Sequence, residues 1–114
     1  MQMTKRVKNN IEILSLKGDF DLSNAKVVKT ILDKEIAAGK TNLVMDLTAL
    51  NYIDSSGIGV FINTMTTLRS KKGKLVLLGM NPNIHRIFEM TKLLSFFVII
   101  QNEDELSKVF PENF

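Results

Sequence analysis

The chain has 114 residues, 45% hydrophobic and 24% charged, the size and balance expected of one soluble globular domain over 1–114. It has no cysteine, which excludes a disulfide framework and a thiolate zinc site. Fifteen Lys and Arg against twelve Asp and Glu give a net charge of +3, spread too thinly along the chain to predict direct binding of nucleic acid.

Met1-Gln2-Met3-Thr4-Lys5-Arg6 opens the chain with no apolar signal-type segment behind it, so a soluble, cytoplasmic protein is expected. A short first strand is expected around Arg6 to Lys8. Asn9-Asn10 suits a tight hairpin turn into a second strand, Ile11 to Leu16, apolar at 11, 13, 14 and 16. Ser23 suits the cap of a first helix with the stripe Val28, Ile31, Leu32 and Ile36, and Gly39 suits its C-terminal stop. Leu43-Val44-Met45-Asp46-Leu47 is nearly continuously apolar, as in a strand buried on both faces. A second helix is expected from about Gly57, with Ile58, Phe61, Ile62, Met65 and Leu68 on one face and Gly73 as its C-cap. The one tight basic cluster, Arg69, Lys71, Lys72 and Lys74, falls at the end of that helix, where cations complement the dipole. No aromatic residues interleave with it, so it reads as a solvated helix end.

Leu75 to Leu78 is a further buried strand. Asn81 caps a third helix with Pro82 at its first position and Ile84, Ile87 and Phe88 inside. Phe96 to Ile100 predicts a fifth strand, in which one of the two phenylalanines must point away from a single covered face. It is also the longest apolar run, far short of the ~20 residues that span a bilayer, so no membrane insertion is expected. Glu103 to Phe110 forms a short last helix closed by Pro111. The order β-β-α-β-α-β-α-β-α predicts an α/β fold with a mixed sheet: crossover-linked strands parallel, the opening hairpin an antiparallel edge.

The stretch richest in chemistry is Asn51-Tyr52-Ile53-Asp54-Ser55-Ser56-Gly57-Ile58-Gly59-Val60. Ser and Asp before a periodic helix satisfy the orphan amides of its first turn, and such a cap needs no function. Gly57 and Gly59 argue for more. Each costs a helix about 1 kcal/mol relative to Ala, and glycine leaves the backbone open to a partner or an anion. A phosphate on a hydroxyl here would feel the favourable field of the helix N-terminus, opposed by Asp54 and, if near, Asp21.

Tyr-Ile-Asp-Ser-Ser-Gly-Ile-Gly at 52–59 resembles the phosphorylation loop of anti-sigma factor antagonists of the STAS domain family. Leu16-Lys17-Gly18-Asp19-Phe20-Asp21 with Ala25 is similar to the family's Gly-x-Leu-Asp turn, and Leu43 to Leu47, with Asp46 near its end, to its central strand. Asn81-Pro82 through Ile87-Phe88-Glu89-Met90-Thr91 resembles its third helix, with Lys92 standing where the family usually has glycine. The resemblance covers nearly the whole chain. It implies a STAS-like, four- to five-stranded mixed sheet with helices mainly on one face, and a binding module without enzymatic activity or cofactor. It makes Ser56 the phosphate acceptor and Ser55 its neighbour and a cap. Asp21 would lie across the groove, Asp54 would shape the loop, and Gly57 and Gly59 would complete the partner-binding segment. The implied partners are an anti-sigma factor with serine kinase activity, which the unmodified protein binds so that a sigma factor is released, and a serine phosphatase that resets the phosphorylated form.

Other sites are weaker. His85, beside Arg86 on the polar side of the third helix, has no Cys, His or Asp cluster around it to make a metal site. Asp54-Ser55-Ser56-Gly57 is not a G-x-S-x-G nucleophile elbow, and no G-x-x-x-x-G-K-[ST] loop is present. Met45, Met65, Met80 and Met90 read as core residues. Two alternatives share the fold: a phosphorylation-independent STAS subunit of a transporter or other complex, and a nucleotide or small-ligand module using the Ser56 helix start.

Overall fold

Backbone pairing organises the molecule around one sheet, which the computed structural model describes over residues 1–114. β1 (Gln2–Lys8) and β2 (Ile11–Phe20) form an antiparallel hairpin, with Lys8 opposite Ile11. Its turn residues Asn9 and Asn10 are both left-handed, at φ 52° and 65°, which asparagine tolerates better than most residues. β3 (Asn42–Ile53), β4 (Lys74–Leu78) and β5 (Val98–Ile100) then add in parallel, giving the order β1-β2-β3-β4-β5. The crossovers carry α1 (Ala25–Ala37), α2 (Ser55–Ser70) and α3 (Pro82–Met90). Crossovers of one hand stepping one way across a sheet lay their helices on the same face.

Period-two alternation divides the strands between two cores. Leu14, Leu16, Leu43, Met45, Leu47, Leu75 and Leu77 face the helices, where they meet Val28, Leu32, Phe61, Leu68, Ile84 and Phe88. Ile11, Ile13, Val44, Val76, Leu78 and Ile100 face the other way, against Leu106 of α4 (Leu106–Val109) and Phe110. The expected α/β class, mixed sheet and element order are all observed.

Several boundaries differ. β1 begins at Gln2, because the hairpin pairing runs on to Gln2 opposite Lys17. β2 continues past Leu16 to Phe20 through two irregularities in its pairing with β3, and β3 itself reaches Ile53. The fifth strand is only Val98–Ile100. Leu94–Phe96 forms a 3-10 turn, and Phe97 is drawn into the core, edge-on to Phe88 at 5.6 Å, while Phe96 stays 49% exposed. The last helix is broken into 3-10 turns at Glu103–Glu105 and Pro111–Asn113 on either side of α4. Glu105 accepts the Asn102 amide and the Gln101 amide, which hold its carboxyl below the ordinary carboxylate value. Met45, Met65 and Met80 are core residues, but Met90 is 74% exposed at the end of α3.

Ser23 does not cap α1. Asn24 holds that position without a side-chain cap, and the Ser23 hydroxyl turns back to Asp21. Gly39 ends α1 as expected, at φ 91°. Gly73 is not the left-handed residue after α2; Lys72 is, at φ 60°, and Lys92 takes the same place after α3 at φ 59°. In both closures the following amide reaches back, Gly73 N–H to Leu68 O at 2.7 Å and Leu93 N–H to Phe88 O at 2.8 Å. Gly73 is required for a different reason: a Cβ there would collide with the Thr41 carbonyl oxygen.

Lys72→Gly and Lys92→Gly should each stabilise the fold by about 0.5–1 kcal/mol, since a left-handed side-chain-bearing residue is relieved at some cost in chain entropy. Gly73→Ala should destabilise it by about 1–3 kcal/mol. Urea unfolding of the three variants checks both signs.

Candidate functional site

Asp54, between the end of β3 and the start of α2, holds the candidate site together. Its Oδ1 accepts the Ser56 N–H at 2.8 Å and the Gly57 N–H at 3.3 Å, so it is the N-cap of α2. Its Oδ2 accepts the Leu22 N–H at 3.2 Å, from the loop between β2 and α1. Its own N–H donates to Phe20 O at 3.2 Å. One carboxylate thus ties a helix start to a neighbouring loop.

Asp21 organises that loop. Its Oδ1 accepts both the N–H and the hydroxyl of Ser23, and its N–H donates to Asn24 Oδ1 at 3.0 Å. Asn24 Nδ2 donates in turn to Asp19 O at 2.8 Å. Asp21, Leu22, Ser23, Tyr52 and Asp54 line one shallow groove. Leu22 is 78% exposed and Tyr52 48%, so the groove sets carboxylates among apolar surface that no part of the chain covers.

Asp21 and Asp54 line the same groove, and α2 starts at Ser55 rather than Gly57. Ser55 is not the cap; it is the exposed first residue of the helix, because Asp54 already occupies the cap. Ser56 is second, half-buried, and enters the hydrogen-bond network through its N–H alone, which leaves its hydroxyl uncommitted. The serines belong to the helix that Asp54 caps and are not among the groove's lining residues.

The two glycines differ. A Cβ on Gly57 would lie 2.8 Å from Ile53 Cγ1 and 2.9 Å from Phe20 Cδ2, so packing alone demands glycine there. That corrects the reading of Gly57 as open backbone. Around a Cβ on Gly59 nothing lies within 4 Å, and this exposed position keeps the reading. Leu22 escaped the sequence reading, and Tyr52 entered it only as the first residue of the 52–59 resemblance. The available signal was an apolar residue inside the polar run Asp21 to Asn24, and a tyrosine next to the buried Ile53 on an alternating strand.

The chemistry on offer is limited. His85 makes no side-chain hydrogen bond, so no base is paired with the Ser56 hydroxyl, and no group of three or more His, Cys, Asp or Glu could hold a metal ion. No helix is long and apolar enough to cross a membrane. The site presents a hydroxyl, a capped helix start and an acidic, apolar-edged groove, the equipment of a surface recognised by another protein.

An open mixed sheet with three crossover helices on one face and this loop at the helix start defines the class of STAS-type domains, and the STAS domain model matches residues 2–106. The chain belongs to the STAS domain family. It is 33% identical over 109 residues to the anti-sigma-B factor antagonist of Listeria monocytogenes, covering 94% of this chain and 93% of that one. An anti-sigma factor antagonist from Mycobacterium paratuberculosis has the same fold, with a TM-score of 0.84 at 19% identity over 95% of this chain and 92% of that one. SpoIIAA, an anti-sigma factor antagonist solved in its unphosphorylated form, matches with a TM-score of 0.73 at 20% identity over 97% of both chains. Its relatives place the chain among the anti-sigma factor antagonists.

Asp54→Ala should cost about 1–2 kcal/mol, since it uncaps α2 and frees the Leu22 amide together. Gly57→Ala should cost about 1–3 kcal/mol by overpacking Phe20 and Ile53, whereas Gly59→Ala should stabilise by about 1 kcal/mol. Chemical denaturation of the three proteins measures each effect, and a stabilising Gly57→Ala would refute the packing account of that residue.

Proposed function

We propose that the protein is an anti-sigma factor antagonist acting as one domain over 1–114, with Ser56 as its phosphorylation switch. Unmodified, it binds an anti-sigma factor that is also a serine kinase, and the sigma factor is released. The kinase then transfers the γ-phosphoryl group of ATP to Ser56 Oγ; the β–γ bridging bond breaks, ADP leaves, and the hydroxyl proton passes to a base of the kinase. A serine phosphatase hydrolyses the ester and resets the switch. The protein itself is a substrate and a ligand here, not an enzyme, and its place is the cytoplasm, where transcription occurs.

The supporting observation is the uncommitted, half-buried Ser56 hydroxyl, two residues along the chain from Asp54 in an acidic, apolar-edged groove. Leu22 and Tyr52 give an unmodified partner apolar surface to bury; Asp54, Ser55 and the open Gly59 lie within a turn of the acceptor along the chain, and Asp21 shares the groove with Asp54. A phosphoserine carries roughly −1.5 to −2 charge. Placed beside Asp54, it burdens the docked complex with like-charge repulsion and the cost of stripping water from a dianion.

Incubation with the cognate kinase and ATP should add the mass of one phosphate, and Ser56→Ala should abolish the addition while Ser55→Ala keeps it. Ser56→Glu should weaken binding to the anti-sigma factor by about tenfold or more, at roughly 1.4 kcal/mol per tenfold. A protein that the kinase leaves unmodified, or one modified equally well as Ser56→Ala, would sink the switch.

A further inference from the structure

The opposite end of α2 carries a second feature that the Ser56 site does not use. Ser56 and Arg69 are 69 − 56 = 13 residues apart on one helix, about 20 Å along its axis. At the Arg69 end lies a groove of about 290 Å³ lined by the apolar Met65, Leu75, Phe96 and Val98 together with Arg69, Gly73 and Lys74. Phe96 is 49% exposed and Val98 40%. β5, which contributes Val98, is the last strand of the sheet, and no strand pairs with its outer edge.

The charge around this groove is uncompensated. The ion pairs of the molecule engage Lys5, Arg6, Lys8, Lys29 and Lys40. Arg69, Lys71, Lys72 and Lys74 have no carboxylate partner. Arg69 donates to Phe96 O at 3.3 Å, which holds its guanidinium at the recess without neutralising it, whereas the Lys74 ammonium reaches Val109 O at 2.8 Å and the Phe110 ring on the other face of the sheet. Arg69 at the recess, with the exposed Lys71 and Lys72 that follow it at the end of α2, exceeds what the helix dipole needs at its C-terminus, which is a fraction of one charge.

We propose that this groove is a second docking surface, for an acidic extended segment of a partner protein. One aliphatic or aromatic side chain of that segment fills the recess against Phe96, Met65 and Leu75. Its carboxylates meet Arg69, Lys71 and Lys72, and its backbone runs along the open edge of β5, as added strands do. The recess lies at the small end of ligand cavities and takes a side chain more readily than a whole small molecule. A single-stranded nucleic acid fits less well, because only one exposed ring is present and such strands stack on several. A bilayer needs apolar groups that protrude, and these line a hollow.

The test is fluorescence anisotropy with a labelled nonapeptide of alternating Glu and Val residues and a central Phe. Comparison probes are the same peptide with Lys for Glu, oligothymidine, and phosphatidylserine vesicles. The acidic peptide should bind, more weakly as salt rises. Lys72→Glu and Phe96→Ser should each lower its affinity about tenfold while melting like the parent protein, and Ser56→Ala should leave it unchanged. Amide resonance shifts should centre on Arg69 to Leu75 and Phe96 to Ile99. No binding at millimolar peptide, indifference to both substitutions, shifts centred on Ser56, or tighter binding of the oligonucleotide or the vesicles would each overturn the proposal. Failure here leaves the Ser56 switch standing, because kinase modification is read by mass and does not involve this groove.

Discussion

The carboxylate of Asp54 is the constraint on which the site depends. One oxygen takes two amides of the first turn of α2 and the other takes Leu22 N–H from the loop after β2. Helix start and loop therefore have one shared position, although 32 residues of chain separate Leu22 from Asp54. The arrangement also sets the electrostatics of any modification. A helix N-terminus ordinarily welcomes an anion through its free amides and its dipole. Here two of those amides, of Ser56 and Gly57, are already engaged, so a phosphate on Ser56 would meet a carboxylate in the place where it would otherwise find donors. The added charge then acts chiefly on what docks from outside, and the domain itself has little reason to refold.

Beneath the cap lies a second constraint, one of volume. The Phe20 ring packs edge-on to Phe61 at 5.3 Å, and its carbonyl accepts the Asp54 amide at 3.2 Å. The first turn of α2 sits on that ring so closely that Gly57 has no room for a methyl group. The same residue that ends β2 therefore fixes the height of the helix start, through its ring, and the cap residue, through its backbone. The start of α2 rests on the core, while Leu22, Tyr52 and Gly59 stay at the surface above it.

Much of this was legible from periodicity. The α2 stripe, the two-faced strands β3 and β4, and the Asn81-Pro82 start of α3, where Asn81 Oδ1 accepts Ile84 N–H at 2.9 Å, depend on local pattern and were read correctly. The misreadings share a cause: each turned on a partner distant in sequence. Asp54, Ser55 and Ser56 are nearly equal as caps by residue type, and the choice of Asp54 follows from its second bond to Leu22. Gly57 looked like open backbone because Phe20 is 37 residues away, and Gly73 looked like a left-handed stop because Thr41 is 32 residues away. Phe96-Phe97 looked like strand because the Phe88 ring that draws Phe97 inward lies on another element. The Lys92 departure proved smaller than it looked in sequence, since the lysine keeps the left-handed backbone that a glycine would adopt.

α2 finally explains why two surfaces of opposite character can coexist on so small a domain. Its N-terminus is complemented by Asp54 and its C-terminus by Arg69 and the lysines after it, so each end carries the charge its dipole favours. A crossover helix runs antiparallel to the strands it joins, which puts its start at the C-terminal edge of the sheet and its end at the N-terminal edge. The acidic groove and the basic groove consequently occupy opposite edges, with the helix between them as a rigid spacer. At about 20 Å the spacing exceeds the Debye length of ~8 Å at physiological salt, so charge added at Ser56 is screened before it reaches the lysines. A change of state at one edge can alter what binds there while the other edge keeps its potential.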